Sequence, residues 1–402
     1  MTMEVLTERL RNMSESETLA MTRKSRELQC QGFDVINLSI GEPDFNTPDF
    51  IKEAAMKAIA ENRTHYPPVA GIQVLRQAVS DKLKRDNNLD YRPEQIIISA
   101  GAKHSIANAM LSIIGPGDEV LVPAPYWVSY KEIIKLAQGT PVFIETSIDN
   151  DFKITPAQLE ASITSKTKAI IYSSPCNPSG SVYTRNELKG LAEVLTNYKN
   201  IFIISDEIYE LINFEGRHES IAQFTCLKDQ VILINGVSKG FAMTGWRIGY
   251  MAAPDVIAKA CDKLQGQFTS GVSTIAQYAA IAALQADPKN TPEIDYMVKT
   301  FRERRDYVLD LLAEIPGFKT NKPQGAFYVF INVKEHFGKR IDGKVITNAS
   351  DLSMYLLEKA CVALVPGDAF GNPNCLRLSY ATSKELLREA VRRISEAIQK
   401  LN

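Results

Sequence analysis

The stretch VILINGVSKGFAMTGWRIGY (residues 231–250) places one lysine, Lys239, just beyond an apolar run and between two glycines, Gly236 and Gly240. A lysine at the mouth of a buried strand loses hydration, and desolvation favours its neutral, nucleophilic form. A neutral amine is what covalent bonding to an aldehyde or ketone carbon requires. Arg247, eight positions further on, adds a fixed positive charge that depresses the lysine further and suits a phosphate held by two parallel hydrogen bonds. A surface loop lysine is the plain alternative; the strand-end placement and the glycine bracket weigh against it.

A second run, IFIISDEIY (201–209), ends in Asp206 and Glu207. A charge at the end of a buried strand needs a partner. Such an aspartate either keeps a heteroaromatic ring nitrogen protonated or caps a helix, and both readings stand. In IIISAGAKH (96–104) a strand, a glycine turn and a helix start follow one another. The free N–H groups and positive end of that helix make an anion site suited to phosphate, although any tight βα turn resembles it. In SPCNPSG (174–180) two prolines and a glycine fix a loop that presents Asn177. Arg377 lies between two leucines in CLRLS (375–379), so it points to the opposite face from both. On a face lining a cleft, its planar guanidinium would clamp a carboxylate. Facing solvent, it is an edge arginine.

The elements that must position these residues are legible as short apolar runs at 96–99, 119–122, 169–172, 201–204 and 231–234. Strands apolar on both faces, separated by helical periodicity, predict a mostly parallel sheet covered on both sides. The turn cluster DPKNTP (287–292) closes this unit. Beyond it come a helix over 293–315, a strand over 326–331, a helix over 351–360, strands over 362–365 and 375–379, and a charged C-terminal helix. The fold class is α/β: a large domain over 50–292, with a small α+β domain built from 1–49 and 293–402. Clefts in such proteins lie at the carboxyl ends of strands and between domains.

Length and charge agree with this division. A chain of 402 residues suits two packed units better than one core. Its 46 Lys and Arg against 47 Asp and Glu leave a net charge of −1, which argues against a nucleic-acid partner. No apolar run approaches the roughly 20 residues that span a bilayer, and residues 1–20 lack the apolar stretch of a signal peptide. Six scattered cysteines and four histidines without ligand spacing predict neither disulfides nor a metal site, and a reducing, cytoplasmic location.

Together these stretches resemble the fold type I pyridoxal-phosphate (PLP) enzymes, in particular the class I aminotransferases of the prokaryotic aspartate aminotransferase subgroup. The string KGFAMTGWRIGY (239–250) carries the resemblance, with GEPDF, HYPPVAG, PYW, CNPSG, DEIY and LRLSYA in order along the chain. The resemblance implies PLP as cofactor, bonded to Lys239, which then shuttles the substrate proton. It implies Asp206 at the pyridine nitrogen and Asn177 with Tyr209 at the ring 3′-oxygen. Trp127 corresponds to the residue stacked on the ring. Arg247 with Gly101, Ala102 and Lys103 matches the phosphate cradle. Some members place a serine three residues before the lysine; Gly236 stands there, and Ser238 lies directly before Lys239. The asparagine loop departs too, where the family more often has two asparagines and a threonine.

For substrates, the resemblance assigns Gly41 and Arg377, with Trp127 and Asn177, to the α-carboxylate end. Lys103 and Thr18 match positions that meet the distal carboxylate of aspartate. Tyr66 corresponds to a tyrosine that reaches the phosphate of the neighbouring subunit, which implies a homodimer with shared sites. The implied reaction is ping-pong transfer of the amino group of L-aspartate to 2-oxoglutarate, giving oxaloacetate and L-glutamate. Alternatives are a transaminase of prephenate or aromatic amino acids, and a β-lyase of the same fold. A PLP-binding transcription regulator is disfavoured because no basic helical module precedes the domain. A nicotinamide dehydrogenase is disfavoured because no GxGxxG opens the first βα unit.

Overall fold

The computed structural model describes residues 5–15 and 17–402. Its centre is a seven-stranded sheet in the spatial order Ile96–Ser99, Gly249–Ala252, Val231–Gly236, Phe202–Asp206, Thr167–Ser173, Glu119–Ala124, Thr140–Glu145. All neighbours are parallel except Gly249–Ala252, which is antiparallel to both of its partners. Period-two alternation divides the side chains between two layers. Ile98, Leu121, Ile170, Ile203 and Leu233 pack against Leu75, Val79 and Leu188 on one face. Ile97, Val122, Ile171, Ile204 and Ile234 meet Ile106, Met110 and Ile257 on the other. This double burial is why these strands read as unbroken apolar runs.

The carboxyl ends of the parallel strands open on one edge. The register sets Ser173 beside Asp206, and Asp206 beside Ile234, two residues before the end of the next strand. Gly249 is flanked by Ser99 and Gly236 at the same edge. A four-stranded antiparallel sheet, in the order Val365–Pro366, Cys375–Ser379, Tyr328–Asn332, Lys319–Thr320, stands apart from it. Phe301, Leu312, Leu352, Leu356, Leu387 and Ile394 from helices Pro292–Ala313, Ala349–Ala360 and Lys384–Ile398 belong to its core. The helix Glu17–Cys30 buries Met21 in a small cluster with Val35, Leu357 and Ala363. Among the described residues no helix is long and apolar enough to cross a membrane.

Three elements differ from the sequence reading. Thr140–Glu145 is an edge strand carrying Pro141, half-exposed along most of its length, so its short apolar stretch does not read as a strand buried on both faces. Gly249–Ala252 begins inside the glycine-rich string that carries Lys239 and Arg247, where no separate apolar run marks it. The strand expected over 362–365 serves two sheets: Val362–Ala363 pairs with Ile36–Asn37, and Val365–Pro366 with the strand Cys375–Ser379.

The turn at the sheet edge depends on glycine. A Cβ on Gly249 would stand 2.2 Å from the Ala102 nitrogen and 2.4 Å from the Gly101 carbonyl carbon, and backbone has little freedom to yield. Gly249→Ala is therefore expected to lower the stability by about 1–3 kcal/mol, as overpacking does. A thermal unfolding midpoint equal to that of the parent protein would contradict this.

Candidate active site

At that edge lies a cavity of about 260 Å³. Its wall brings together Thr18, Gly41, Ala102, Lys103, Trp127, Asn177, Asp206, Tyr209, Ser238, Lys239, Arg247 and Arg377, which are spread over some 360 residues of chain. Gly101 stands just behind the wall: a Cβ there would meet Arg247 Nη2 at 2.1 Å. Its φ of +87° is open to glycine and strained for other residues. Tyr66 is not in this cavity. It is 96% exposed and lines a separate hollow with Arg63, His65, Pro67 and Ser273.

Lys239 follows the strand Val231–Gly236 by three residues. Its Nζ donates to the Gly41 carbonyl at 2.5 Å and lies 5.9 Å from the centre of the Tyr209 ring. Burial lowers its pKa to about 8; Arg247 and Arg377 push in the same direction, while Glu42 opposes them. Arg247 and Arg377 line the same cavity wall as this lysine. Arg247 is anchored by its own hydrogen bonds, Nη1 to the Thr244 carbonyl and Nη2 to the Ala100 carbonyl. It thus stands beside the first turn of the helix Ala102–Ile113.

Asp206 ends its strand 4% exposed. One oxygen accepts the Tyr130 hydroxyl at 2.6 Å and the other the Ile208 N–H at 3.2 Å. Burial pushes its carboxyl up to about 6, while these two donors and Lys239 pull it down and Glu207 adds to the rise. No helix begins at Asp206, so the capping alternative falls away; a local turn and a tyrosine hold the side chain instead. Its neighbour Glu207 is buried as well, and is satisfied by Ser205, Ser220 and His218.

Arg377 is 2% exposed, so it lines the cleft rather than solvent. Its guanidinium carbon sits 4.5 Å from the Tyr328 ring centre and 4.9 Å from that of Phe370. Nη1 donates to Asn177 Oδ1 at 2.9 Å and Nη2 to the Ser39 carbonyl at 2.6 Å. Its Nε is buried without a partner among the described residues. Asn177 is fixed in turn, because the Gly180 carbonyl of its loop accepts the N–H groups of Gln324 and Gly325. Tyr209 and Tyr328 share a hydroxyl hydrogen bond of 2.9 Å.

A second cationic station lies in the same wall. Lys103 Nζ is 5.0 Å from the Trp127 ring centre, and desolvation followed by the charge of Arg247 holds its pKa below the ordinary lysine value. Thr18 Oγ1 is buried and has no partner among the described residues.

Sequence reasoning missed Tyr130, Ser173, Tyr328 and Thr244, all of which line the cavity. Tyr130 falls one helical turn after Trp127, a spacing that places the two side by side. Tyr328 lies two residues before Phe330, the partner of Arg377 in the ladder, and so shares its face. The residues present fit a phosphate-bearing aldehyde with a basic ring nitrogen. The fit rests on a glycine cradle under an arginine, a buried carboxylate with lone pairs to spare and a desolvated amine.

Comparison with known proteins agrees with this chemistry. Residues 34–394 match the model of the family "Aminotransferase class I and II". The chain is 48% identical, over 98% of its length and 82% of the relative's, to a bifunctional aspartate aminotransferase and glutamate/aspartate-prephenate aminotransferase of Petunia hybrida. It is 46% identical to the aspartate aminotransferase of Bacillus subtilis, over 98% and 99% of the two chains. The structure of Thermus thermophilus aspartate aminotransferase with maleate superposes with a TM-score of 0.92 at 39% identity, over 98% and 99%.

The lysine environment sets a pH dependence with a definite sign. The neutral amine reacts with aldehydes, and its fraction grows as pH rises through the pKa. In cofactor-free protein, borohydride trapping of a small aldehyde on Lys239 is expected to rise with a midpoint of about 8. A midpoint near 10.5, the ordinary lysine value, would show that the cavity does not desolvate the amine.

Proposed function

The chain belongs to the class I and II aminotransferases, and from that premise we propose that it moves the amino group of L-aspartate to 2-oxoglutarate, releasing oxaloacetate and L-glutamate. It is a PLP-dependent enzyme whose substrates are amino acids and 2-oxo acids. The observation that carries the dicarboxylate reading is the pair of cationic stations, Arg377 and Lys103, in the wall of one cavity. A neutral aliphatic substrate would leave the second charge unpaired. The names of the Petunia and Bacillus relatives, and the maleate in the Thermus structure, point the same way.

PLP, when bound, supplies an aldehyde carbon that accepts the amino group and a ring that draws electrons from the substrate Cα. Lys239 would bond to it, and Asp206 would hold the proton on its ring nitrogen. Asn177 and Tyr209 would serve the ring oxygen, and Trp127 the ring itself. Arg247, Ser238 and the Gly101–Ala102–Lys103 turn would hold the phosphate. Arg377 and Gly41 seat the α-carboxylate, and Lys103 with Thr18 the distal one. Lys239, neutral in good part near pH 8, takes the proton from the substrate Cα and carries it onward. Two seated carboxylates fix which Cα–H bond points at that amine.

We further propose that the large domain spans 50–292 and the small one 1–49 with 293–402. The protein acts as a cytosolic homodimer. Full exposure of Tyr66 supports its reaching the site of a second subunit, and all six cysteines are unpaired.

Lys239→Ala is expected to lose the visible absorbance of the bound cofactor and nearly all turnover; a variant retaining both would overturn the assignment. Lys103→Ala removes a charged hydrogen-bond donor, worth about 1.5–3 kcal/mol. Assayed on a panel of amino donors with 2-oxoglutarate and with prephenate as acceptors, it should lower kcat/KM for aspartate roughly 10- to 100-fold. An aromatic donor should change little. Equal losses for both donors would refute the distal-carboxylate role.

A further inference from the structure

Among the residues that sequence reasoning missed, Tyr130 touches two of the groups assigned to the cofactor. Its hydroxyl donates to Asp206 Oδ2 at 2.6 Å. Its ring stands edge-on to Trp127, with centres 5.5 Å apart and planes at 83°, and its backbone N–H donates to the Trp127 carbonyl. Tyr130 is 1% exposed, so packing leaves its ring one place to stand. It arrives from the helix Ser129–Leu136, whereas the second donor to Asp206, the Ile208 N–H, comes from the turn of Asp206 itself. Two donors from different elements, one on each oxygen, fix both the direction and the plane of the carboxylate.

We propose that Tyr130 is the positioning residue of this site, presenting the Asp206 carboxylate to the cavity in one orientation and seating the Trp127 ring beside it. The inference rests on the PLP-dependent reading above and extends it to a residue with no direct part in the chemistry. The hydroxyl also acts on ionisation. An ionised carboxylate only accepts, so Tyr130 donates here and favours the charged form. The titratable groups around Asp206 are Tyr130, Cys176, Glu207, Tyr209 and Lys239. Of these, Tyr130 and Lys239 favour its ionised form and Glu207 disfavours it. Burial disfavours it most.

The test is Tyr130→Phe in the full-length protein, which deletes one oxygen and keeps the ring on Trp127. PLP affinity is measured by titrating cofactor-free protein and following tryptophan fluorescence. The dissociation constant should rise about tenfold or more, the size of a hydrogen bond to a charged group. In the loaded enzyme kcat should fall about as much, while KM for aspartate stays within about twofold. The pH at which the bound cofactor changes colour should also move. In an Asp206→Asn background the same substitution should change PLP affinity by less than about twofold, because its effect runs through that carboxylate. Tyr172→Phe deletes another buried hydroxyl, one bonded to Ser205, and should leave all these readouts unchanged. The proposal is overturned if Tyr130→Phe leaves PLP affinity unchanged, or weakens it equally in both backgrounds. Failure of the aminotransferase reading would look different, since the parent protein itself would then lack aspartate-dependent turnover.

Discussion

A carboxylate, an amine and a guanidinium held out of water within one cavity wall set the terms for the rest of the molecule. Left alone, each would lose its charge or pull the fold open. Asp206 keeps a hydroxyl and an amide as donors, Lys239 a carbonyl, and Arg377 a carbonyl and an amide oxygen. The charges behind them are matched as closely. Glu207 is held by His218 and two serines, and Glu210 by Lys82, Asn87 and Asn235. The carboxyl edge of the sheet is therefore a place where ions are desolvated without being orphaned. Perturbed proton affinities at Asp206 and Lys239 follow from that arrangement.

The near-zero net charge conceals this concentration. Lys103, Lys239, Arg247 and Arg377 all line one cavity in a chain whose total is −1. Space for the anions they would hold comes from backbone without side chains. Gly101 clears the Arg247 guanidinium, and Gly249 lets the neighbouring strand approach the helix start. Cation and clearance are thus two halves of one device, and either without the other would leave a phosphate no room or no partner.

What the sequence made legible follows from the range over which each signal acts. Strands at 96–99, 201–204 and 231–234 announce themselves because burial on both faces demands a nearly unbroken apolar run. Lys239 and Asp206 stand out because a charge follows within a few residues of such a run. Gly101 was legible as turn chemistry. Tyr130 was not, because its partner Asp206 lies 76 positions away and nothing local to either residue records the meeting. The edge strand at 140–145 was equally silent, since one wet face dilutes the apolar pattern. For Arg377 alternation gave the side of the strand; which side faced the cleft was settled only by the packing of Phe330, Tyr328 and Phe370.

The two rings flanking Arg377 carry an entropic consequence. A free arginine side chain holds about 2 kcal/mol of rotamer freedom, and a receptor built on a mobile one gives that up each time a ligand arrives. Here folding has already spent it: Tyr328 and Phe370 clamp the plane, while Asn177 and Ser39 fix its rotation. A carboxylate seated there, as proposed, would meet a rigid fork whose Nε is still without a partner among the described residues. Under the proposed role, discrimination at that end would rest on shape, since the guanidinium has no second pose to offer a tetrahedral anion.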